Sequence, residues 1–343
     1  MAVEQSVFHD VQTIKDFMMK HYHLKPDSIL KLELGSANCF EVRVGSARFL
    51  LKEFQRKFDR ATLENEIHVC DLVGVEVPTS QFIRNRHGTV ICEESGRLFH
   101  LQRFLDGVTY QRNHYDDVLL MQEAVALGKI HRCLDGKIAL PEGFPAPWFD
   151  KWSRERTIEK YKMILAHKVS RGVPEENHEL IEACQTKLTL LQGFETNYKS
   201  FKALMVVNSH GDYHNLQILV DEKKRLSAVI DFSSAASVPA VWELLRSYTL
   251  SAEECIHGDR LDVDRLKRYV DAYLTVRPLP LFDITHMAEF YYFSLLRSAY
   301  GFDGVDRKTA EFAVWRTKMC AYLCAHAGEI GAYLREKYVG ALV

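Results

Sequence analysis

Residues 206–232 read VVNSHGDYHNLQILVDEKKRLSAVIDF. The order of residue types predicts a loop, a short apolar strand at Ile218-Leu219-Val220, a charged turn, and a second short strand running into Ile230-Asp231-Phe232. Two carboxylates stand out. Asp212 lies in the first loop, and Asp231 follows nineteen residues later at the end of the second apolar run. A carboxylate beside buried strands must be paired, solvated or bound to a metal. Phosphoryl transfer has a use for both: one orients the acceptor hydroxyl and takes its proton, and another holds magnesium against the phosphates. A metal-hydrolase ligand set built on the same histidines is the competing chemistry. No second His/Asp cluster with ligand spacing accompanies it.

Upstream, the period of the apolar residues changes twice. Residues 8–22 carry Val11, Ile14, Phe17 and Met18 at helical spacing. Leu30, Leu32 and Leu34, then Phe40, Val42 and Val44, then Phe49 and Leu51 alternate instead, with Gly35 and Gly45 between the runs, which predicts three antiparallel strands. Residues 59–73 return to a helical period, and strand-like runs follow at 80–92 and 97–104. From residue 114 onward the pattern is mainly helical: 114–135, 151–167, 175–200, 241–256, 262–275, 283–302 and 306–338. The fold class is therefore α+β, with a strand-rich lobe over 1–105 and a larger helical lobe over 106–343.

The window His210-Gly211-Asp212-Tyr213-His214, followed by apolar residues and Ile230-Asp231-Phe232, resembles the aminoglycoside phosphotransferase and choline kinase superfamily, whose loop reads H-G-D-x-H-x-x-N before I-D-[FWY]. The resemblance covers roughly residues 30–250 and implies a protein-kinase-like two-lobed fold. It implies that Asp212 is the catalytic base, that Asp231 is the principal Mg2+ ligand, and that His210 and His214 brace the loop. Gln217 stands where the family has asparagine. It offers the same amide oxygen on a chain one methylene longer, so it either serves the metal or marks a silent kinase-like protein. Lys52, in the third strand, would neutralise the α- and β-phosphates of ATP or GTP, held by Glu66 or by Glu64 of the following helix. Gly35 and Ser36 would cover the phosphates. Gln102, Arg103 and Phe104 would border the adenine from the inter-lobe connection. His131 ends a helix resembling the family's L-x-x-h-H and is expected to pack or cap. No multi-glycine loop, HRD, DFG or APE segment supports a protein kinase.

Composition narrows the rest. The chain has 343 residues and a net charge of -2, without the basic excess of nucleic-acid binders. The opening MAVEQSVFHDVQTIKDF is too polar for a secretory signal, and no apolar run is long enough to span a bilayer, so a cytoplasmic setting without membrane partner is expected. The expected partners are a nucleoside triphosphate and a small hydroxylated acceptor. After residue 280 there are seven acidic and seven basic residues, a balance that disfavours a polycationic acceptor. Phe290, Tyr291, Tyr292 and Phe293, with Tyr300 and Trp315, form either an acceptor wall or plain core, and Trp148, Phe149 and Trp152 are equally open.

Overall fold

A computed structural model describes residues 10–32, 37–55, 58–144, 149, 152–170, 178–195, 197–302 and 307–339. The alternating runs of the front third pair as an antiparallel sheet in the order β1 (Ser28–Leu32), β2 (Asn38–Val44), β3 (Ala47–Glu53), β6 (Arg97–Arg103). β4 (Phe82–Ile83) and β5 (Ile91–Glu94) share the outer edge of β6. One face of this sheet buries Phe40, Val42, Leu51, Phe99 and Leu101 against Ile14, Phe17 and Met18 of α1 (Val11–Tyr22). The Asp10 carboxylate accepts the Thr13 N–H at 2.8 Å and so starts α1 at Val11, and residues 8 and 9 of the expected helix lie outside the described residues. Asp59 does the same for α2 (Arg60–Val73) through Thr62.

Two strand expectations change. Ile29 pairs across from the buried Val42, so Ile29 faces inward and Leu30 is turned to solvent. Leu34 lies outside the described residues. The run at 80–92 is broken because the Asn85 side-chain oxygen accepts the N–H groups of His87 and Thr89, at 2.9 and 3.1 Å, and Gly88 takes φ +77°. That turn leaves β4 and β5 as separate short strands.

α2 joins the two lobes. Its Leu63 packs with Phe54 and Ile91 under the sheet, whereas Val69, Cys70 and Val73 enter the core of the helical lobe. That lobe contains α3 (Asp117–Leu134), α4 (Arg154–Ser170), α5 (His178–Gln192), α6 (Ala240–Ser251), α7 (Val263–Leu274), α8 (Leu281–Arg297) and α9 (Arg307–Val339). The helix expected over 175–200 stops at Gln192, before Gly193, and the chain resumes as a 3-10 turn at Tyr198–Ala203. The helices expected to 256 and 302 end at Ser251 and Arg297, where the next residue of each turns extended.

Two small antiparallel pairs interrupt the helices. β7 (Val206–Ser209) pairs with β10 (Ala236–Pro239), and β8 (Ile218–Val220) pairs with β9 (Leu226–Val229). Val206–Ser209 was expected as loop; the return of Ala236–Pro239 beside it makes it a strand. Residues 210–217 connect β7 to β8, and residues 230–235 connect β9 to β10. Both connections therefore meet at one end of the two pairs.

Candidate active site

Asp212 lies on the first of these connections and Asp231 on the second. His210, fully buried between them, donates from Nε2 to the Ile230 carbonyl at 2.9 Å and accepts the Asp212 N–H on Nδ1 at 3.3 Å. A neutral imidazole protonated on Nε2 satisfies both bonds, so one side chain fixes the backbone at both carboxylates. Gly211 permits the approach. It takes φ +80°, and a Cβ there would stand 1.9 Å from the Ser234 carbonyl oxygen. Asp231 adopts the left-handed conformation at φ 65°, ψ 63°, which few residues other than glycine hold without support.

The support for the first loop comes from α6. Glu243, fully buried near the start of that helix, accepts the N–H groups of Gly211 at 3.0 Å and Tyr213 at 2.9 Å, and the Ser209 hydroxyl. His131 packs as expected: its Nε2 is 2.5 Å from the Ser209 hydroxyl and its Nδ1 is 2.8 Å from that of Tyr273. Burial, with Arg277 adding to it, lowers the His131 pKa to about 3, so the ring is neutral. One turn beyond Glu243, Arg246 donates to Asp212 Oδ1 and, at 3.2 Å, to the Tyr213 carbonyl. His214 brings Nε2 to 3.7 Å from Asp212 Oδ2, and its Nδ1 accepts the Leu216 N–H at 3.2 Å. Burial alone would raise the Asp212 pKa. The His214 contact and the Arg246 charge outweigh it and hold the carboxyl well below its ordinary 3.8.

Sequence reasoning missed Glu243 and Arg246. Their i, i+3 spacing places them on one helix face, but nothing local says that this face underlies the loop.

Lys52 reaches the site from the other lobe. Its ammonium is 3.5 Å from Asp231 Oδ1 and 3.8 Å from Glu66 Oε1. Glu66 is fully buried, with His100 Nε2 3.5 Å from its second oxygen, whereas Glu64 is exposed. Of the two glutamates, Glu66 is the one beside Lys52. Burial alone would lower the Lys52 pKa, but the carboxylates of Asp231 and Glu66 overcome it and hold the amine above its ordinary 10.5. The same Lys52 charge lowers the Asp231 pKa against the effect of burial, and the Ser233 hydroxyl adds a bond at 2.9 Å.

The donors here suit a hard cation. Asp231 is about one-third exposed; its Oδ1 faces Ser233 and Lys52, and its Oδ2 has no partner among the described residues. The Gln217 carboxamide also has no partner among them, and its backbone carbonyl accepts the Ile230 N–H at 2.9 Å, beside Asp231. A carboxylate and an amide oxygen are the hard donors that magnesium takes, and since magnesium rarely uses an all-protein cage, water and phosphate oxygens would complete its shell. Among the described residues no group of three or more His, Cys, Asp or Glu forms a metal cluster.

The remaining nucleotide candidates fall unevenly. Gly35 and Ser36 lie outside the described residues. Gln102 is buried in β6 with its amide 3.4 Å from His100 Nδ1. The N–H groups of Arg103 and Phe104 are already bonded, to the carbonyls of Gln81 at 2.8 Å and Arg48 at 3.0 Å. The next amide, Leu105, has no partner among the described residues.

Beside Asp212 opens a cavity of about 590 Å³, walled by Trp242, Tyr291, Tyr300 and Phe312 and by Arg112, Arg246 and Arg316. Phe290, Phe293 and Trp152 are core instead, stacked among Phe149, Phe194, Tyr198 and Phe201. Trp315 is buried beneath Arg112, and Trp148 lies outside the described residues.

The model of the phosphotransferase enzyme family matches residues 29–279, well over half of the chain. Among solved structures, the chain resembles the amicoumacin kinase hAmiN in complex with AMP-PNP, Ca2+ and Ami, at TM-score 0.61 and 12% identity over 96% of each chain. It resembles a microcompartment-associated aminopropanol kinase at TM-score 0.60 and 16% identity, over 94% of this chain and 99% of that one. An aminoglycoside phosphotransferase from Alicyclobacillus acidocaldarius matches at TM-score 0.60 and 13% identity, over 97% and 98%. Among curated proteins no match was found. The two-lobed protein-kinase-like fold expected from the sequence is thus the observed one. Among the described residues no helix is long and apolar enough to cross a membrane.

Proposed function

The chain belongs to the phosphotransferase enzyme family, and from that membership we propose that it moves the γ-phosphoryl group of ATP or GTP onto a hydroxyl of a small molecule. The observation that carries this reading is the clamp around His210, which holds Asp212 and Asp231 on adjoining connections while Lys52 reaches Asp231 from the opposite lobe. Lys52 exchanges Asp231 for the nucleotide phosphates, steered by Glu66. Magnesium, held by Asp231 and Gln217, supplies neutralisation of the phosphate charge. The adenine or guanine edge meets the main chain near Leu105, where an amide is open.

Asp212 accepts a hydrogen bond from the acceptor hydroxyl and aims its oxygen at the γ-phosphorus. The new O–P bond forms as the bond to the β-phosphate's bridging oxygen breaks. The hydroxyl proton passes to Asp212 and then to solvent, and the nucleoside diphosphate leaves. With its pKa held low, Asp212 works chiefly by orientation and takes the proton late, which suits a loose transition state. Arg246 positions Asp212 and keeps it ionised. A cytoplasmic setting, where nucleotide and magnesium are supplied, suits this activity.

The test follows label from γ-labelled ATP or GTP, with magnesium, into a mixed pool of alcohols, sugars, hydroxy acids, amino alcohols and antibiotics. A labelled product is expected, and its mass names the acceptor. Nucleotide binding without transfer to any member of the pool would replace this function with that of a silent nucleotide-binding protein.

A further inference from the structure

The cavity beside Asp212 has an unusual charge. Among the described residues Asp212 is the only carboxylate on its wall, and three arginines face it. Arg246 is committed to Asp212 and to the Tyr213 carbonyl. The other two have no acidic partner among the described residues. Arg316 lies 5.8 Å from the ring centres of both Tyr300 and Phe312 and makes no hydrogen bond or ion pair among the described residues. Arg112 sits 4.4 Å over the Trp315 ring and spends only Nη1, on the carbonyls of Cys255 and Ile256 at 3.1 and 3.4 Å. Both side chains are half-buried, and burial without a carboxylate partner pushes the pKa of both guanidinium groups down. Such a charge is costly unless a ligand completes it. A guanidinium also presents a planar fork that matches a carboxylate or phosphate in two-bond contact.

We infer that the acceptor carries an anionic group, a carboxylate or a phosphate, which docks on Arg316 and Arg112 while its hydroxyl reaches Asp212. This rests on the phosphoryl-transfer function proposed above, because that function is what makes the cavity the acceptor site. A cavity of about 590 Å³ has the size of a small-ligand pocket. Its aromatic wall of Trp242, Tyr291 and Tyr300 sets the carbon skeleton between the two ends. A polycationic acceptor would meet like charges there with one carboxylate to offset them.

The experiment reads binding and transfer separately. Tryptophan fluorescence, to which Trp242 on the cavity wall contributes, is followed in the full chain loaded with magnesium and a non-hydrolysable ATP analogue. The probes are matched series of three to six carbons: ω-hydroxy carboxylates, hydroxyalkyl phosphates, diols and amino alcohols. At least one anionic series is expected to bind about tenfold or more tightly than the diol of equal length, with the amino alcohol weakest. The stronger of the two anionic series identifies the group. Arg316→Gln and, separately, Arg112→Gln should remove that preference while leaving nucleotide affinity unchanged, which also shows that the variants fold. Arg316→Lys should restore part of it. Diols or amino alcohols binding as well as the anions, no anion binding at millimolar concentration, or a preference that survives both substitutions would overturn the inference. Selective anion binding without transfer of label to the bound hydroxyl would leave the anion site standing and remove the kinase function instead.

Discussion

His210 shows how much one side chain can arrange. With one proton donated and one accepted, it sets the backbone of two carboxylates that the sequence separates by nineteen residues. Those carboxylates then differ by their neighbours: Lys52 and Ser233 beside Asp231, Arg246 and His214 beside Asp212. Different substitutions should therefore separate their roles. Asp231→Ala should abolish the magnesium dependence of nucleotide affinity, weakening magnesium-dependent binding by about 10–100-fold. Calorimetric titrations with and without the metal check this, and unchanged metal dependence would contradict it. Gln217→Asn shortens a side chain that has no partner among the described residues, so turnover should hold or rise. Steady-state kinetics check it, and a complete loss would show a pocket fitted to the longer amide. Asp212, Asp231, His210 and His214 stood out because their types and spacing match the family's loop, and the fold brings all four together. Glu243, Arg246 and Arg316 did not, since each reaches the site only through the way a distant helix packs.

At the scale of elements, α3 and α6 hold the 210–217 loop from beneath. Tyr213 donates its hydroxyl to the Glu123 carbonyl of α3 at 2.9 Å, and Glu243 of α6 takes the loop's amides. The Glu123 side chain is itself fully buried, with one oxygen bonded to the Ser251 hydroxyl at 2.8 Å and the other without a hydrogen bond. Burial raises its pKa from the ordinary 4.5 to about 8, so it stays protonated in the folded state at neutral pH. The unfolded chain loses that proton first. This contribution to stability is therefore full below about 4.5 and is lost as pH rises through about 8. Glu123→Gln should flatten the fall of melting temperature across that window, and a wild-type slope in the variant would contradict the assignment. Elements with a strong period, such as β2, β3 and α2, were readable from sequence alone. β7 was not, because Val206–Ser209 is a strand only by virtue of Ala236–Pro239, thirty residues on. Register likewise decided that Ile29, not Leu30, faces the core.

At the scale of the whole molecule, the two lobes divide the work. The sheet delivers Lys52 and Glu66, the helical lobe delivers both aspartates and the cavity, and α2 is rooted in the cores of both. The two-lobed outline was legible because the apolar period switches from two to helical spacing and stays there. The charge of the cavity beside Asp212 was not. Counting after residue 280 gives a neutral balance, whereas folding gathers Arg112, Arg246 and Arg316 from three separate helical regions onto one wall. The proposed nucleotide side, Lys52 and Asp231, is thus distinct from the proposed acceptor side at Asp212. Single-turnover transfer from γ-labelled nucleotide by Asp212→Asn, with nucleotide affinity measured on the same protein, tests that division most directly. Transfer slowed by about 10²–10⁴-fold, with nucleotide affinity nearly intact, is the expected result. Full transfer by the variant, or loss of nucleotide binding together with transfer, would contradict it.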